Sequence, residues 1–497
     1  MDASQLPAGF RREIEALLGA QAREFFGAYA RPHWRALRLN PRRGLRPGGC
    51  AAPEGYADAA PAFALAGAPD FAAARELARG YIDRPVPWQP GAHYIAGGAM
   101  PGASLMHLTG LYYIQEPSAM AAGAALAVRP GMRVLDLCAA PGGKSAQLAA
   151  ALAGAGLLVA NEPVPARARM LAGNIERQGF TNVVVTNEYS AQLAERWGEA
   201  FDAILVDAPC SGEGMFRRDE GALREWTPDA PRACHLRQLD ILDSAHALLR
   251  PGGALVYSTC TFNRLENEGT IAEFLRRYPD MAAEDFELAG LGASRDGMLR
   301  LWPHIIDGEG HFVCRLRRHA PGAAQAEAAS GARLECAADG ARPKRRRSAQ
   351  PRPDAHRDEA ERALGQLRAE CALPELSGEA ALFGAQLNLL PAGCPPLAGV
   401  RVALAGLALA EVGRSHVAPA YMLCRALAPG AGSVEVDTRA ALRLVRGEQI
   451  ERAARDGWAM LHWRGLPVCP GKARDGVIKG HYPRGLNPLG TIAEESV

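Results

Sequence analysis

No two cysteines of this chain are spaced as C-x-x-C, although there are eleven of them. An odd, scattered count in a long chain supports neither a disulfide framework nor a zinc ribbon, and it fits a reducing cytosol. The twelve histidines show no H-x-x-x-H or similar ligand spacing, so no metal is expected. The start, Met1-Asp2-Ala3-Ser4-Gln5-Leu6, lacks a basic stretch followed by an apolar one, so no secretory signal is read. The Ala-rich stretch from Ala119 to Val128 is too short to span a bilayer. Tandem repeats and coiled-coil heptads are also missing. The expectation is a cytoplasmic, monomeric protein with no membrane partner. Formal charge is only +2, so overall charge does not announce a polyanionic partner.

What is present is apolar. Hydrophobic residues make up 48 % of the 497, enough for a large core and against wholesale disorder. Charge is local instead. Arg31, Arg35, Arg38, Arg42, Arg43 and Arg46 crowd one short stretch without an acid. A second basic run extends from Arg342 to Arg347. Such clusters bind phosphates by releasing counterions, but the second run reads as a tether.

Apolar periodicity gives the organisation. Residues 8–27 read as one amphipathic helix with Ile14, Leu17, Leu18 and Phe25 on one face, followed by a strand at Ala36–Asn40. Residues 1–103 are taken as a small N-terminal α+β module. From 104 to 318, strands and helices alternate, the pattern of an α/β fold with a parallel sheet. Strands are expected at Val134–Leu137, Leu157–Asn161, Val183–Thr186, Ala203–Asp207 and Ala254–Ser258, with an edge strand at His311–Leu316. Helices are expected at Pro165–Gln178 and Cys234–Leu249, the latter stopped by Pro251-Gly252-Gly253. Residues 319–356, rich in Ala, Gly, Pro and Arg, read as a linker. Residues 357–497 form a last, β-rich region with short segments at Val400–Leu404 and Ala459–Trp463.

Chemistry concentrates at three strand ends. The first strand runs into Cys138-Ala139-Ala140-Pro141-Gly142-Gly143-Lys144-Ser145, a Gly-rich turn opening a helix. A phosphate-binding P-loop needs glycine at 138, where this chain has cysteine, so the ATPase reading weakens. An S-adenosylmethionine turn fits better: glycines allow close backbone approach and the helix N-terminus starts there. Glu162, ending the second strand, suits a ribose diol. Cys210, in Asp207-Ala208-Pro209-Cys210-Ser211-Gly212, and Cys260, in Ser258-Thr259-Cys260-Thr261, each follow an apolar strand. Both therefore belong at the ligand-binding edge of the sheet. Cys138, Cys234, Cys314, Cys424 and Cys469 read instead as small buried hydrophobes.

Two strand-end thiols beside a cofactor turn point to covalent chemistry on a ring. Cytosine C5 is a poor nucleophile until a thiolate adds at C6. Asp207 is placed to hold N3 and the exocyclic amine, and Lys144 to add positive charge. Some DNA-modifying enzymes use a Pro-Cys cysteine as nucleophile, so these residues by themselves leave the roles of Cys210 and Cys260 open.

Together, Leu137 to Lys144, Asp207 to Gly214 and Ser258 to Thr261 resemble the RNA 5-methylcytosine methyltransferases of the NOL1/NOP2/Sun class. Leu111 to Ser118 and Met215 to Arg218 narrow the resemblance to the bacterial RsmF type, which modifies small-subunit ribosomal RNA. Gly457-Trp458, Gly465-Leu466-Pro467 and His481 to Leu486 look like that group's PUA-like RNA-binding domain. The resemblance implies a Rossmann-like core, S-adenosylmethionine as co-substrate, and ribosomal RNA or the small ribosomal subunit as partner; transfer RNA is the alternative substrate. It implies that Cys260 adds to C6 and Cys210 assists adduct breakdown. Cofactor contacts map to Cys138, Ala139, Ala140, Pro141, Gly142, Gly143, Lys144, Glu162 and Asp207. Relatives carry an acid after the third strand; here Asn187 or Glu188 stands in for it.

Fainter signals remain. Trp226, beside Arg224 and Glu225, reads as packing a helix turn against the sheet. Arg38 and Asn40 resemble a position of the RNA-binding module, or read otherwise as an exposed strand edge. Trp463, Lys472, Lys479, His481 and Arg484 mix aromatic and basic groups as RNA binding requires.

Overall fold

The computed structural model describes residues 5–43, 71–320 and 353–483, apart from 372, 374, 375, 377, 415 and 431, and also residue 486. Arg46, the basic run from Arg342 to Arg347, Arg484 and Gly485 lie outside the described residues.

Glycine breaks the first helix. The expected single helix is two, Ala8–Leu18 and Ala22–Ala28, because Gly19 adopts φ +55°. Phe10, Ile14, Phe25 and Tyr29 form one buried cluster with Phe216 and Phe262, which lie on the loops that carry the thiols. Four short strands follow: β1 (Ala36–Leu39), β2 (Ile82–Pro85), β3 (Ala92–Ile95) and β4 (Tyr112–Gln115), in the order β2-β3-β1-β4.

The central sheet contains β5 (Arg133–Asp136), β6 (Leu157–Asn161), β7 (Val183–Thr186), β8 (Phe201–Asp207) and β9 (Leu249–Thr259). These five are mutually parallel in the order β9-β8-β5-β6-β7. The chain runs outward from β5 through β6 to β7, then returns to β8 on the other side. The carboxyl end of β5 is thus a topological switch point, where open α/β sheets bind ligands. The middles of these strands are buried on both faces and read as apolar runs rather than alternating. Val134, Leu158, Val183 and Leu205 share a cluster with Leu148 and Leu171 of the helices Gly143–Ala151 and Pro165–Gln178. Their neighbours Leu135, Val159, Val184 and Ile204 meet Leu193, Leu242 and Phe274 of three other helices. Beyond β9 the strand His311–Arg318 runs antiparallel.

The helix expected at Cys234–Leu249 occupies Ala230–Leu248, since Pro231 fits its first turn. It ends before Pro251, and β9 already starts at Leu249.

The C-terminal region holds a four-stranded and a five-stranded sheet. One of its strands, Val402–Ala405, instead pairs antiparallel with β7 and extends the central sheet. Arg425 is wholly buried and donates to Arg177 O at 2.6 Å, Leu108 O at 3.2 Å and Pro467 O, three distant parts of the chain. Among the described residues no helix is long and apolar enough to cross a membrane.

Arg38 and Asn40 are not an exposed edge. Arg38 donates to Gly143 O and Ala146 O, and Asn40 Nδ2 to Gly110 O and Gln178 O, both side chains being buried. Trp463 is likewise buried, so it belongs to the core of the five-stranded sheet and not to an RNA-facing surface. Trp226 packs edge-on against Phe216, beside the N-terminal helix rather than the sheet.

Candidate active site

Register brings the two thiol loops together. Asp207, the last residue of β8, pairs with Ser258 of β9, and Ala208 N donates to Ser258 O at 2.8 Å. Both chains leave the sheet side by side, and Cys210 Sγ lies 3.3 Å from Cys260 Sγ. Gly214 N donates to Cys260 O, and a Cβ at Gly214 would stand 2.6 Å from that oxygen. Only glycine permits the approach. Both thiols are partly exposed, as a group that must meet a substrate has to be.

Asp207 has three partners. Its Oδ2 accepts from Lys144 Nζ at 2.8 Å, its Oδ1 accepts from Ser258 Oγ at 2.8 Å, and His311 Nε2 lies 3.5 Å from Oδ1. Burial works against its charge, but Lys144 and then His311 outweigh burial and hold the carboxyl below the ordinary range. Burial also opposes the Lys144 ammonium, yet Asp207 raises it above its usual value and a thiolate at Cys260 supports it further. Cys210 is pushed well up, first by its hydrogen bond to Cys260, then by burial and by the charges of Cys260 and Glu266.

Lys144 sits in the first turn of the helix Gly143–Ala151, so it links the thiol loops to the glycine turn. Gly142 takes φ +111°, and a Cβ there would approach Leu171 Cδ1 to 2.9 Å. The helix Pro165–Gln178 braces the turn: Arg167 donates to Ala140 O and Asn174 to Pro141 O. Ala139 N donates to Asn161 O at the end of β6. Glu162 follows, buried, with Oε1 accepting from Val164 N. Asn187 Nδ2 donates to Glu162 O, whereas Glu188 is taken up by Arg401 through its backbone N–H and guanidinium. Of the two residues offered for the position after β7, Asn187 is the one beside Glu162. Cys314, Cys424 and Cys469 are buried as expected; Cys138 and Cys234 are only partly so.

Three participants went unseen in the sequence: His311 beside Asp207, and the buried Glu213 and Glu266 behind the thiols. His311 opens a strand that was expected, but nothing in its neighbours signals that the strand lies against β9.

A doubly wound sheet with a Gly-rich turn at its switch point and polar strand ends beside it defines a Rossmann-like methyltransferase core. The family model described as 16S rRNA methyltransferase RsmB/F matches residues 123–317. Models described as the RsmF rRNA methyltransferase first C-terminal domain and the methyltransferase RsmF PUA domain match 367–427 and 431–487. The chain is 41 % identical over 255 residues to the ribosomal RNA small subunit methyltransferase F of Shewanella denitrificans, covering 49 % of this chain and 50 % of that protein. It is 45 % identical over 248 residues to the protein of that name from Klebsiella pneumoniae, covering 48 % and 52 %. The match thus spans about half the length of these curated relatives. Among solved structures, a methyltransferase homolog protein from Pyrococcus horikoshii superposes with a TM-score of 0.50 at 26 % identity, covering 64 % of this chain and 100 % of that one. Three successive stretches of the chain are thus similar to the methyltransferase, first C-terminal and PUA domains of RsmF-type rRNA methyltransferases.

Proposed function

We propose that this protein transfers a methyl group from S-adenosylmethionine to C5 of a cytosine in small-subunit ribosomal RNA, through a covalent bond between Cys260 and C6. The observation that carries this reading is the 3.3 Å contact of Cys210 and Cys260 beside the Asp207–Lys144 pair.

The residues fit the co-substrate. Gly142 lets the turn close against Leu171 of the bracing helix at φ +111°, and the first turn of the helix Gly143–Ala151 offers backbone N–H groups. Glu162 supplies a buried carboxylate at the end of β6 for a ribose diol. When bound there, S-adenosylmethionine supplies an electrophilic methyl group.

The protein's residues do the rest. The target base must leave its stack, since C6 is unreachable inside a helix. Asp207, ionised and fixed by Lys144 and Ser258, takes a hydrogen bond from the exocyclic amine and from N3 once N3 has taken a proton from solvent, which it returns on elimination. The Cys260 thiolate bonds to C6, and the displaced electron pair makes C5 nucleophilic. Once C5 carries the methyl group, its proton leaves to a base, and the C6–S electrons return to sulfur. Cys210, whose sulfur lies 3.3 Å from that of Cys260, is placed to assist that elimination and product release. The resemblance of Ser258 to Thr261 to the family's Thr-Cys motif supports Cys260 as nucleophile.

Methyl incorporation from labelled S-adenosylmethionine, measured on small subunits, free ribosomal RNA and transfer RNA side by side and mapped by bisulfite sequencing, tests the reading. The expected result is a protected cytosine in the small-subunit RNA. Incorporation into transfer RNA alone, or at an atom other than C5, overturns it.

A further inference from the structure

Two carboxylates lie behind the paired thiols, and both are buried: Glu213 is 1 % exposed and Glu266 0 %. Among the described residues each is held by uncharged donors. Burying a carboxylate without a cation is costly, and the cost is offset only when its oxygens are filled by hydrogen bonds. Here they are filled from the opposite loop. Glu266, six residues beyond Cys260, accepts from the backbone N–H of Ser211 at 3.0 Å and from Ser211 Oγ, next to Cys210. Glu213, three residues beyond Cys210, accepts from Phe262 N at 2.9 Å and Asn263 N at 3.1 Å, just past Cys260. Asn263 Nδ2 donates to both carboxylates, and Gln238 Nε2 reaches from the helix Ala230–Leu248 to Glu266 at 2.8 Å. Each thiol loop therefore carries the acid that fastens the other.

We infer that Glu266 and Glu213 are positioning residues that lock the Cys210 and Cys260 loops in register, holding the Cys210 thiol within reach of an adduct on Cys260. A carboxylate suits this task, since its two oxygens accept up to four donors and so gather backbone and side-chain groups from two loops. An amide at either position would turn one acceptor into a donor facing the N–H groups it now receives. The charge of Glu266 also contributes to keeping the Cys210 thiol protonated. Neither acid touches the glycine turn, so the clamp acts on the thiols and not on cofactor binding.

This inference rests on the covalent reading of the site, and the test separates the two. The full-length variants Glu266→Gln and, as a milder cut, Ser211→Ala are compared with wild type and Cys210→Ala. Turnover should fall by about 10–100-fold in Glu266→Gln, as expected for a misplaced reacting group. The KM for S-adenosylmethionine should stay within about twofold of wild type, and a denaturation-resistant protein–RNA adduct should accumulate. Independently of turnover, alkylation of Cys210 by iodoacetamide, followed by mass spectrometry across pH, should begin at lower pH in Glu266→Gln. Ser211→Ala, which keeps the Glu266 charge, should show a smaller loss of turnover and a smaller adduct, with its alkylation onset close to wild type. The clamp is overturned if both variants turn over normally without adduct while Cys210→Ala traps one. It is also overturned if activity, cofactor affinity and melting temperature fall together with no adduct and an unchanged alkylation profile. If Cys210→Ala itself leaves no adduct, the covalent mechanism fails, and the alkylation profile still decides the clamp.

Discussion

Lys144 Nζ donates to Asp207 Oδ2 across 2.8 Å, although 63 residues separate them in the chain. The bond ties the glycine turn after β5 to the carboxyl end of β8. Asp207 is held below the ordinary carboxyl range, chiefly because Lys144 and His311 outweigh its burial. Its charge is thus present at any working pH. The stabilisation from its ion pair is complete above the unfolded value and disappears only as pH falls through the depressed folded one. Asp207→Asn is expected to lower kcat by about 10²-fold or more. The same variant should leave the acid limb of the pH–rate profile, above about pH 5, where it is in wild type. Steady-state assays across pH check both.

The sulfur pair makes a second, asymmetric prediction. Cys260→Ala should abolish methylation and leave no adduct, because the nucleophile is gone. Cys210→Ala should bond to RNA and then stall, giving a shifted band on a denaturing gel. The reverse pattern, with an adduct in Cys260→Ala and normal turnover in Cys210→Ala, would exchange the two roles.

Those cysteines were legible because the chemistry is written locally: an apolar run, a strand end, then thiol and polar residues. The strands at Leu157–Asn161 and Val183–Thr186 and the helix Pro165–Gln178 were legible for the same reason, being apolar segments bounded by turn residues. Glu213 and Glu266 were not. Their partners on the opposite loop lie 49 to 55 residues away, and only the pairing of β8 with β9 makes them neighbours. Arg38 and Trp463 misled for the opposite reason. A cation and an aromatic ring read as surface chemistry, but Arg38 is absorbed by helix carbonyls and Trp463 by a hydrophobic core. Nor does the apolar segment at Val402–Ala405 carry any mark that it belongs to the central sheet and not to its own neighbours.

Asp136 gives a stability prediction with a definite sign. Burial raises its carboxyl from 3.8 to about 7; the hydrogen bond from Ser145 opposes the rise, and Asp207 adds to it. An acid whose folded pKa exceeds its unfolded one stabilises the fold when protonated. That contribution is complete below 3.8 and is lost as pH rises through about 7. Asp136→Asn keeps an acceptor for Ser145 without a charge to bury. Thermal melts at a series of pH values should therefore show the variant gaining on wild type as pH rises from about 5 to 8.

Arg425 binds the parts of the molecule together. Its guanidinium is fully buried and spends its donors on carbonyls of the helix Pro165–Gln178, the segment before β4 and the C-terminal sheet. Arg43 in turn donates to Arg425 O at 2.6 Å. Arg425→Met strands several buried carbonyls at once, so it should cost on the order of 3 kcal/mol and lower the melting temperature by several degrees. Arg443→Met, at an exposed pair with Glu448, should change it little.

A row of residues on the five-stranded C-terminal sheet gives a prediction about RNA binding. Trp458 stands opposite Lys472, and Lys472 opposite Lys479, on three adjacent strands. Lys472 Nζ lies 5.5 Å from the Trp458 ring centre, and His481 packs edge-on 4.8 Å from the same ring. An aromatic ring beside one ammonium group, with a second ammonium group on the next strand, would combine base stacking with phosphate contact. Fluorescence anisotropy with a ribosomal RNA fragment over a salt series separates these contributions. Replacing Lys472 and Lys479 by Gln should weaken binding and flatten the slope of log affinity against log salt by about 1.4, since each phosphate contact on a single strand contributes about 0.7. Trp458→Ala should cost about 1–3 kcal/mol of binding with the slope unchanged. Trp463→Ala, on the buried side of the same strand, should lower the melting temperature and leave the salt slope intact. An unchanged slope in the double lysine variant would place the RNA on another face.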